Sequence, residues 1–252
     1  MSPYRTGRPF RRALRTAASA VAALTLLLGW FTATGSTAYA QQAAATATTA
    51  STALTGKAVE IRGGDILYSS SGTRCTVAFN ARGGTTTYGL MTGRCARGAT
   101  SWYADPALTV FVGTTEGGGF PGGDHALVRY TTGTAVTFPG EVTLGPGGGT
   151  VDITGAANPA VGQSVCHVSG GTGLRCGTVT ALNIVIRYPD GTISQVFSAN
   201  ICSDSGAVGG PAFSGGTALG VLAAGNGNCS SGGTTYYLPV VEWLAKYGLS
   251  LY

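Results

Sequence analysis

Short runs of alternating apolar and polar residues, each closed by a glycine-bearing turn, recur along this chain from residue 76 to residue 238. A period of two turns one face of a backbone inward, so each run reads as a half-buried strand. The runs are Thr76–Asn80, Thr86–Met91, Thr109–Gly113, Ala126–Tyr130, Thr150–Ile153, Ile184–Tyr188, Gln195–Ile201, Ala218–Ala223 and Thr234–Leu238. Arg82-Gly83-Gly84, Pro189-Asp190-Gly191 and Asn226-Gly227-Asn228 are turn signals between them. With 42 glycines and 10 prolines in 252 residues, a coiled coil or helical array is excluded. The glycines keep no three-residue period, which excludes collagen. Gly117–Gly119 and Gly147–Gly149 have no helix after them and read as hairpin turns rather than phosphate cradles. Helical spacing occurs once, near the C-terminus, where Pro239 opens a stretch with Val240, Val241, Leu244 and Tyr247 on one face. The pattern predicts an all-β barrel pair or sandwich with one short helix.

The formal charge of +5 is confined to the start of the chain. Residues 1–40 hold Arg5, Arg8, Arg11, Arg12 and Arg15 and no acid, so the rest carries 10 basic and 10 acidic residues. That balance leaves no electrostatic footprint for nucleic acid. An Arg-rich start, the apolar run Ala17–Phe31 and the small-x-small Ala38-Tyr39-Ala40 read as a signal peptide for general secretion. The apolar run falls short of the roughly 20 residues that span a bilayer, so no membrane association is expected after its removal. Residues 41–56 form an Ala/Thr-rich flexible segment, and the folded domain is expected over residues 57–252. All six cysteines (Cys75, Cys95, Cys166, Cys176, Cys202 and Cys229) fall in that domain, and in an exported chain they read as three disulfides. His125 and His167 each stand alone and the cysteines form no close pair, so neither metal nor cofactor is expected.

Ile61-Arg62-Gly63-Gly64-Asp65, Trp102-Tyr103-Ala104, the run from Asp124 to Tyr130, Val161 to Cys166, Gly209-Gly210-Pro211, Gly227-Asn228-Cys229 and the closing Tyr247 to Tyr252 occur collinearly. Residues 57–252 thereby resemble the streptogrisins, secreted bacterial serine proteases akin to α-lytic protease. The resemblance implies the chymotrypsin fold, two six-stranded antiparallel β-barrels with a short C-terminal helix. It also implies the pairings Cys75–Cys95, Cys166–Cys176 and Cys202–Cys229, and a monomer.

Such an enzyme needs a hydroxyl nucleophile, an imidazole base and a carboxylate that orients the base. In the family the base lies in Thr-Ala-Gly-His-Cys; here the stretch is Met91-Thr92-Gly93-Arg94-Cys95, which places Arg94 at the base. The family's Gly-Asp-Ser-Gly-Gly-Pro matches Gly206-Ala207-Val208-Gly209-Gly210-Pro211, which places Val208 at the nucleophile and Gly206 and Ala207 in the oxyanion loop. Asp124 matches the family's carboxylate. Ala223 stands where a Ser supports that carboxylate, and Ala224 where a Gly lets substrate approach, with Gly225 beside it in the cleft. A guanidinium loses its proton only above about 12, so Arg94 cannot act as a base near neutral pH.

Ser205, in Asp204-Ser205-Gly206, is the alternative nucleophile, but it shortens the spacing from Cys202 and reads more simply as a polar turn. His125 follows Asp124 on a strand and so faces away from it. The residues therefore predict an inactive protease homologue in which Arg94 pairs with Asp124. One further expectation fits: only residues 41–56 are expected between the signal and the domain, too few for the folded pro-region that the resemblance implies is removed by autocatalysis. The expected partners are extended peptides or proteinaceous protease inhibitors. A weakly active endopeptidase using Ser205 and an interaction protein using another surface are the alternatives.

Overall fold

The computed structural model describes residues 57–121, 123–133, 135–169, 173–203 and 208–252. The expected signal peptide, the 41–56 segment, and Asp204, Ser205, Gly206 and Ala207 lie outside the described residues. The N-terminal half carries β1 (Val59–Glu60), β2 (Ile66–Ser69), β3 (Arg74–Thr76), β4 (Phe79–Gly83), β5 (Thr86–Met91), β6 (Ser101–Tyr103), β7 (Phe111–Gly119), β8 (His125–Tyr130) and β9 (Val136–Thr137). The C-terminal half follows with β10 (Glu141–Thr143), β11 (Thr150–Asp152), β12 (Gly155–Ala156), β13 (Ser164–Ser169), β14 (Gly173–Tyr188) and β15 (Gly191–Ala199). It ends in β16 (Pro211–Ser214), β17 (Thr217–Asn228), β18 (Gly232–Pro239) and the helix α1 (Val240–Tyr247).

Two sheets of seven strands result, ordered β3-β2-β6-β7-β8-β5-β4 and β12-β17-β16-β13-β14-β15-β18. In the second, β17 also pairs with β18, which closes six strands into a barrel and leaves β12 as a parallel addition. In the first, the end strands β3 and β4 are separated only by Val77 and Ala78. One bent segment thus forms both edges and curls the sheet into the other barrel. This is the chymotrypsin architecture.

Period-two alternation feeds two different cores. Met91, Val128 and Trp102 fill the N-terminal barrel, while their neighbours Leu90 and Leu127 face outward into a layer shared with the other barrel. In β17 a register shift against β16 at Leu219 interrupts that period, so that Leu219 and Leu222 join the core of the C-terminal barrel, and Val221 and Ala223 the shared layer. A strand buried on both faces needs no polar positions, so Ala218–Ala223, expected to alternate, is instead apolar and buried throughout.

Several elements depart from the sequence expectation. Gly117–Gly119 is no turn: it lies inside β7, with a register shift between Glu116 and Gly118. Gly118 has φ +89°, and a Cβ there would run into the His125 carbonyl, so these glycines form a bulge. Asn226–Asn228 also belongs to a strand, β17, and the reversal comes one residue later. Ile184–Tyr188 is the far end of a strand of 16 residues. In α1 the buried side chains are Val240, Trp243 and Leu244, so Trp243 takes the inward place expected of Val241. Pro239 caps that helix with φ −59°, and Gly248 ends it in the left-handed region at φ +61°. All three implied disulfides are formed, and no described cysteine is free.

Candidate functional site

Arg94 lies in the turn that follows β5 and is fixed on both sides. Cys95 is bonded to Cys75, and Gly93 packs so closely on Gly119 that a Cβ would lie 2.7 Å from its carbonyl oxygen. Asp124 immediately precedes β8 with φ +44°, a left-handed conformation that Asp tolerates better than most residues. Its side chain is 0% exposed. The Arg94 backbone N–H donates to Asp124 Oδ1 at 2.7 Å, and its Nε donates to Oδ2 at 2.9 Å. Arg94 Nη2 lies 2.9 Å from the same Oδ2 and donates to the Ala223 carbonyl at 2.6 Å. The fork therefore closes on one oxygen rather than two, and the backbone amide takes the other. Both oxygens thus accept, as those of a carboxylate do.

Burial lifts the Asp124 carboxyl above its ordinary range, against the hydrogen bonds and charge of Arg94. Burial pulls the guanidinium down, but Asp124 and Tyr188 outweigh it and hold Arg94 above its ordinary value. Above the guanidinium lie two rings, Tyr188 at 4.0 Å and Phe120 at 5.3 Å from Arg94 Cζ to the centroids. Neither aromatic was singled out by sequence reasoning. Tyr188 is brought in by a segment distant in sequence, Phe120 stands four residues before Asp124, and neither carries a local motif.

Among the described residues, no imidazole hydrogen-bonds Asp124. His125 points the other way: its Nε2 accepts from Lys246 Nζ at 3.1 Å, and its ring meets Trp243 at 5.3 Å between centroids. The second histidine, His167, is buried inside the C-terminal barrel, where its Nδ1 and the Tyr237 hydroxyl share a hydrogen bond of 2.5 Å.

Ala223 is placed by a register shift between Leu222 and Ala224, which leaves it out of the β17–β18 ladder. Its carbonyl is thereby free to meet Arg94. Gly209 N donates to the Leu222 carbonyl at 2.7 Å and Leu222 N to the Gly210 carbonyl at 2.9 Å, which seats Val208 next to this stretch. Gly209 is required there: its φ is +98°, and a Cβ would lie 2.8 Å from the Thr76 carbonyl of the other barrel. Ala224 and Gly225 continue β17 opposite Tyr236 and Thr235, and Gly225 packs on Ser203. The structure thus gathers Arg94, Asp124, Ala223 and the Val208 turn at the junction of the barrels; Ser205, Gly206 and Ala207 are not described. Among the described residues, no cluster of His, Cys, Asp and Glu could hold a metal.

Two barrels joined across such a junction define the chymotrypsin-fold class of serine proteases. No protein-family model matches the chain. It is 42% identical to serine protease 2 of Streptomyces fradiae over 177 residues, 69% of this chain and all of that protein. Streptogrisin-D of Streptomyces griseus is 41% identical over 192 residues, which are 76% of this chain and 48% of that one. Among solved structures, the α-lytic protease homologue N4 matches with a TM-score of 0.71 at 51% identity, over 77% of this chain and all of that one. The chain belongs to the streptogrisin family of serine proteases. It spans the full length of some members and about half of others.

Proposed function

We propose that this chain is a secreted streptogrisin-family protein that has lost triad chemistry and binds extended peptide or the reactive loop of a protease inhibitor in the inherited cleft. The carrying observation is the guanidinium of Arg94 bonded to Asp124 in the place where the family pattern puts an imidazole. A guanidinium neither accepts the nucleophile's proton nor returns it. Val208, at the nucleophile position, offers no hydroxyl. Secretion is supported by the Arg-rich, apolar first 40 residues and by three formed disulfides.

Binding is supported by the edge of β17. Strand β16 pairs with it only as far as Val221, and Gly210 reaches Leu222. Beyond that point no described strand covers this edge, which leaves backbone groups for strand addition. The methyl group of Ala224, where the family pattern has a Gly, narrows the approach and counts against this mode of binding.

The test combines a reactive-loop inhibitor protein with a serine-directed phosphonate. We expect the wild type to bind the inhibitor and to remain unlabelled. Phosphonate on Ser205 overturns the loss of chemistry, and absence of inhibitor binding overturns the use of the cleft.

A further inference from the structure

The β14–β15 hairpin extends beyond the barrel that carries it. Only Gly173–Thr178 of β14 pairs with β13, and only Phe197–Ala199 of β15 pairs with β18. Between Val179 and Val196 the two strands pair with each other alone. Three register shifts in this stretch twist the ribbon.

The tip of this ribbon reaches the N-terminal barrel. Arg97 Nη1 donates to Asp190 at 3.0 Å. Tyr188 meets Phe120 edge-on with centroids 5.9 Å apart. Gly191 lies so close to the Phe120-Pro121 segment that a Cβ would sit 2.5 Å from Pro121 Cβ. The same Tyr188 covers the guanidinium of Arg94, whose Nη2 occupies the Ala223 carbonyl.

We infer that the β14–β15 hairpin is a strap that holds Arg94 as an internal plug, so that the cleft opens to an extended peptide only when the tip lifts. This rests on the cleft-binding reading above. A strand adding along β17 past Val221 meets a carbonyl already bonded to Arg94. Displacing that side chain requires space, and Tyr188 and Phe120 fill it.

The tip, Tyr188–Gly191, can lift without unfolding either barrel, because neither closure uses it and the ribbon stays anchored below it by Ile193 and Val196, which are buried in the shared layer. The β17–β18 ladder closes one barrel and the β3–β4 bend the other. The clasp itself is light: Arg97 and Asp190 are 52% and 53% exposed, so salt screens their attraction.

The test uses thiols at the clasp. All described cysteines are in disulfides, so Arg97→Cys with Asp190→Cys adds a reactive pair that a short bis-maleimide can join. Two readouts are taken on the wild type, the cross-linked pair and Tyr188→Ala. The first needs no ligand: solvent exchange of the Arg94 Nε–H by NMR. We expect exchange at least about tenfold faster in Tyr188→Ala and slower than wild type in the cross-linked form, since a hydrogen-bonded, covered N–H exchanges only on opening. The second is association of a Kazal-type inhibitor domain, expected to be at least about tenfold slower when the strap is cross-linked.

Equal Nε–H exchange in all three proteins overturns the strap. So does equal inhibitor association with and without the cross-link. If exchange responds as expected but no form binds the inhibitor, the hold on Arg94 stands and the peptide-binding reading falls.

Discussion

The C-terminal barrel closes on hydrogen bonds, with β17 paired to β18 from Gly220 to Asn228, whereas the N-terminal barrel closes through a bend in its own chain at Val77–Ala78. The halves also divide the site unequally. Both charges, Arg94 and Asp124, come from the N-terminal barrel, and the C-terminal barrel brings a carbonyl and the Tyr188 ring. The ion pair is therefore internal to one barrel, held by the turn after β5 and the start of β8. What links the barrels across the cleft is the Arg94 bond to a carbonyl, its contact with the Tyr188 ring and the half-exposed Arg97–Asp190 pair.

The largest expected effect tests that division. Arg94→Ala leaves the Asp124 carboxylate buried and unpaired, which costs about 3–5 kcal/mol in a denaturant titration. Adding Asp124→Asn should return a large share of that loss, because the stranded charge is gone. No recovery in the double variant contradicts the pair as drawn.

Disulfides give the next effect. In a chain-entropy description, removing Cys202–Cys229, with a sequence separation of 27, costs about 3.5 kcal/mol. Removing Cys166–Cys176, separated by 10, costs about 2.7 kcal/mol. Both belong to the hydrogen-bond-closed barrel, so a reversed order of melting temperatures shows that local packing outweighs loop length there.

Acid should separate the two barrels. Burial, aided by the charge of Arg175, pulls the His167 imidazole down to about 4 from an ordinary 6.5. Its neutral form stabilises the fold fully above pH 6.5, and that contribution is lost as pH falls toward 4. The whole step is at most about 3 kcal/mol, and His167→Gln should flatten it in urea titrations at successive pH values. Asp124 acts with the opposite sign: its raised carboxyl favours folding at low pH and loses that contribution as pH rises through its folded value. A His167→Gln protein that still loses stability over the same range points to another group.

The smallest effect sharpens the comparison between two arginines three positions apart. Arg97 is also ion-paired, but it and Asp190 are both half exposed. Arg97→Ala should change global stability by less than about 0.5 kcal/mol in the titration that shows the Arg94 loss.

Much of this fold was legible because period two and glycine punctuation are local signals. The β5 and β8 strands, the helix start at Pro239 and the three pairings implied by family resemblance all appear where they were expected. The glycines of β7 were misread because a glycine bulge and a glycine turn have the same composition, and only the register with β8 separates them. Arg94 and Asp124 were identifiable from their distance to Cys95 and from the run that Asp124 opens. Ala223 was identified as a side-chain position, yet its role here is carried by the backbone carbonyl, and a bulge leaves no mark in side-chain pattern. Tyr188 and Phe120 were missed because their meeting depends on how far a ribbon projects, which alternation does not encode.

The most direct measurement is hydrolysis of a chromogenic peptide with a large apolar residue before the scissile bond. The wild type would be compared with the quadruple variant Arg94→His, Ala207→Asp, Val208→Ser, Ala223→Ser. Turnover by the variant alone is expected, with phosphonate labelling at residue 208. Turnover by the wild type at a rate comparable to the variant, with label on Ser205, means that the chain keeps protease chemistry through a displaced nucleophile.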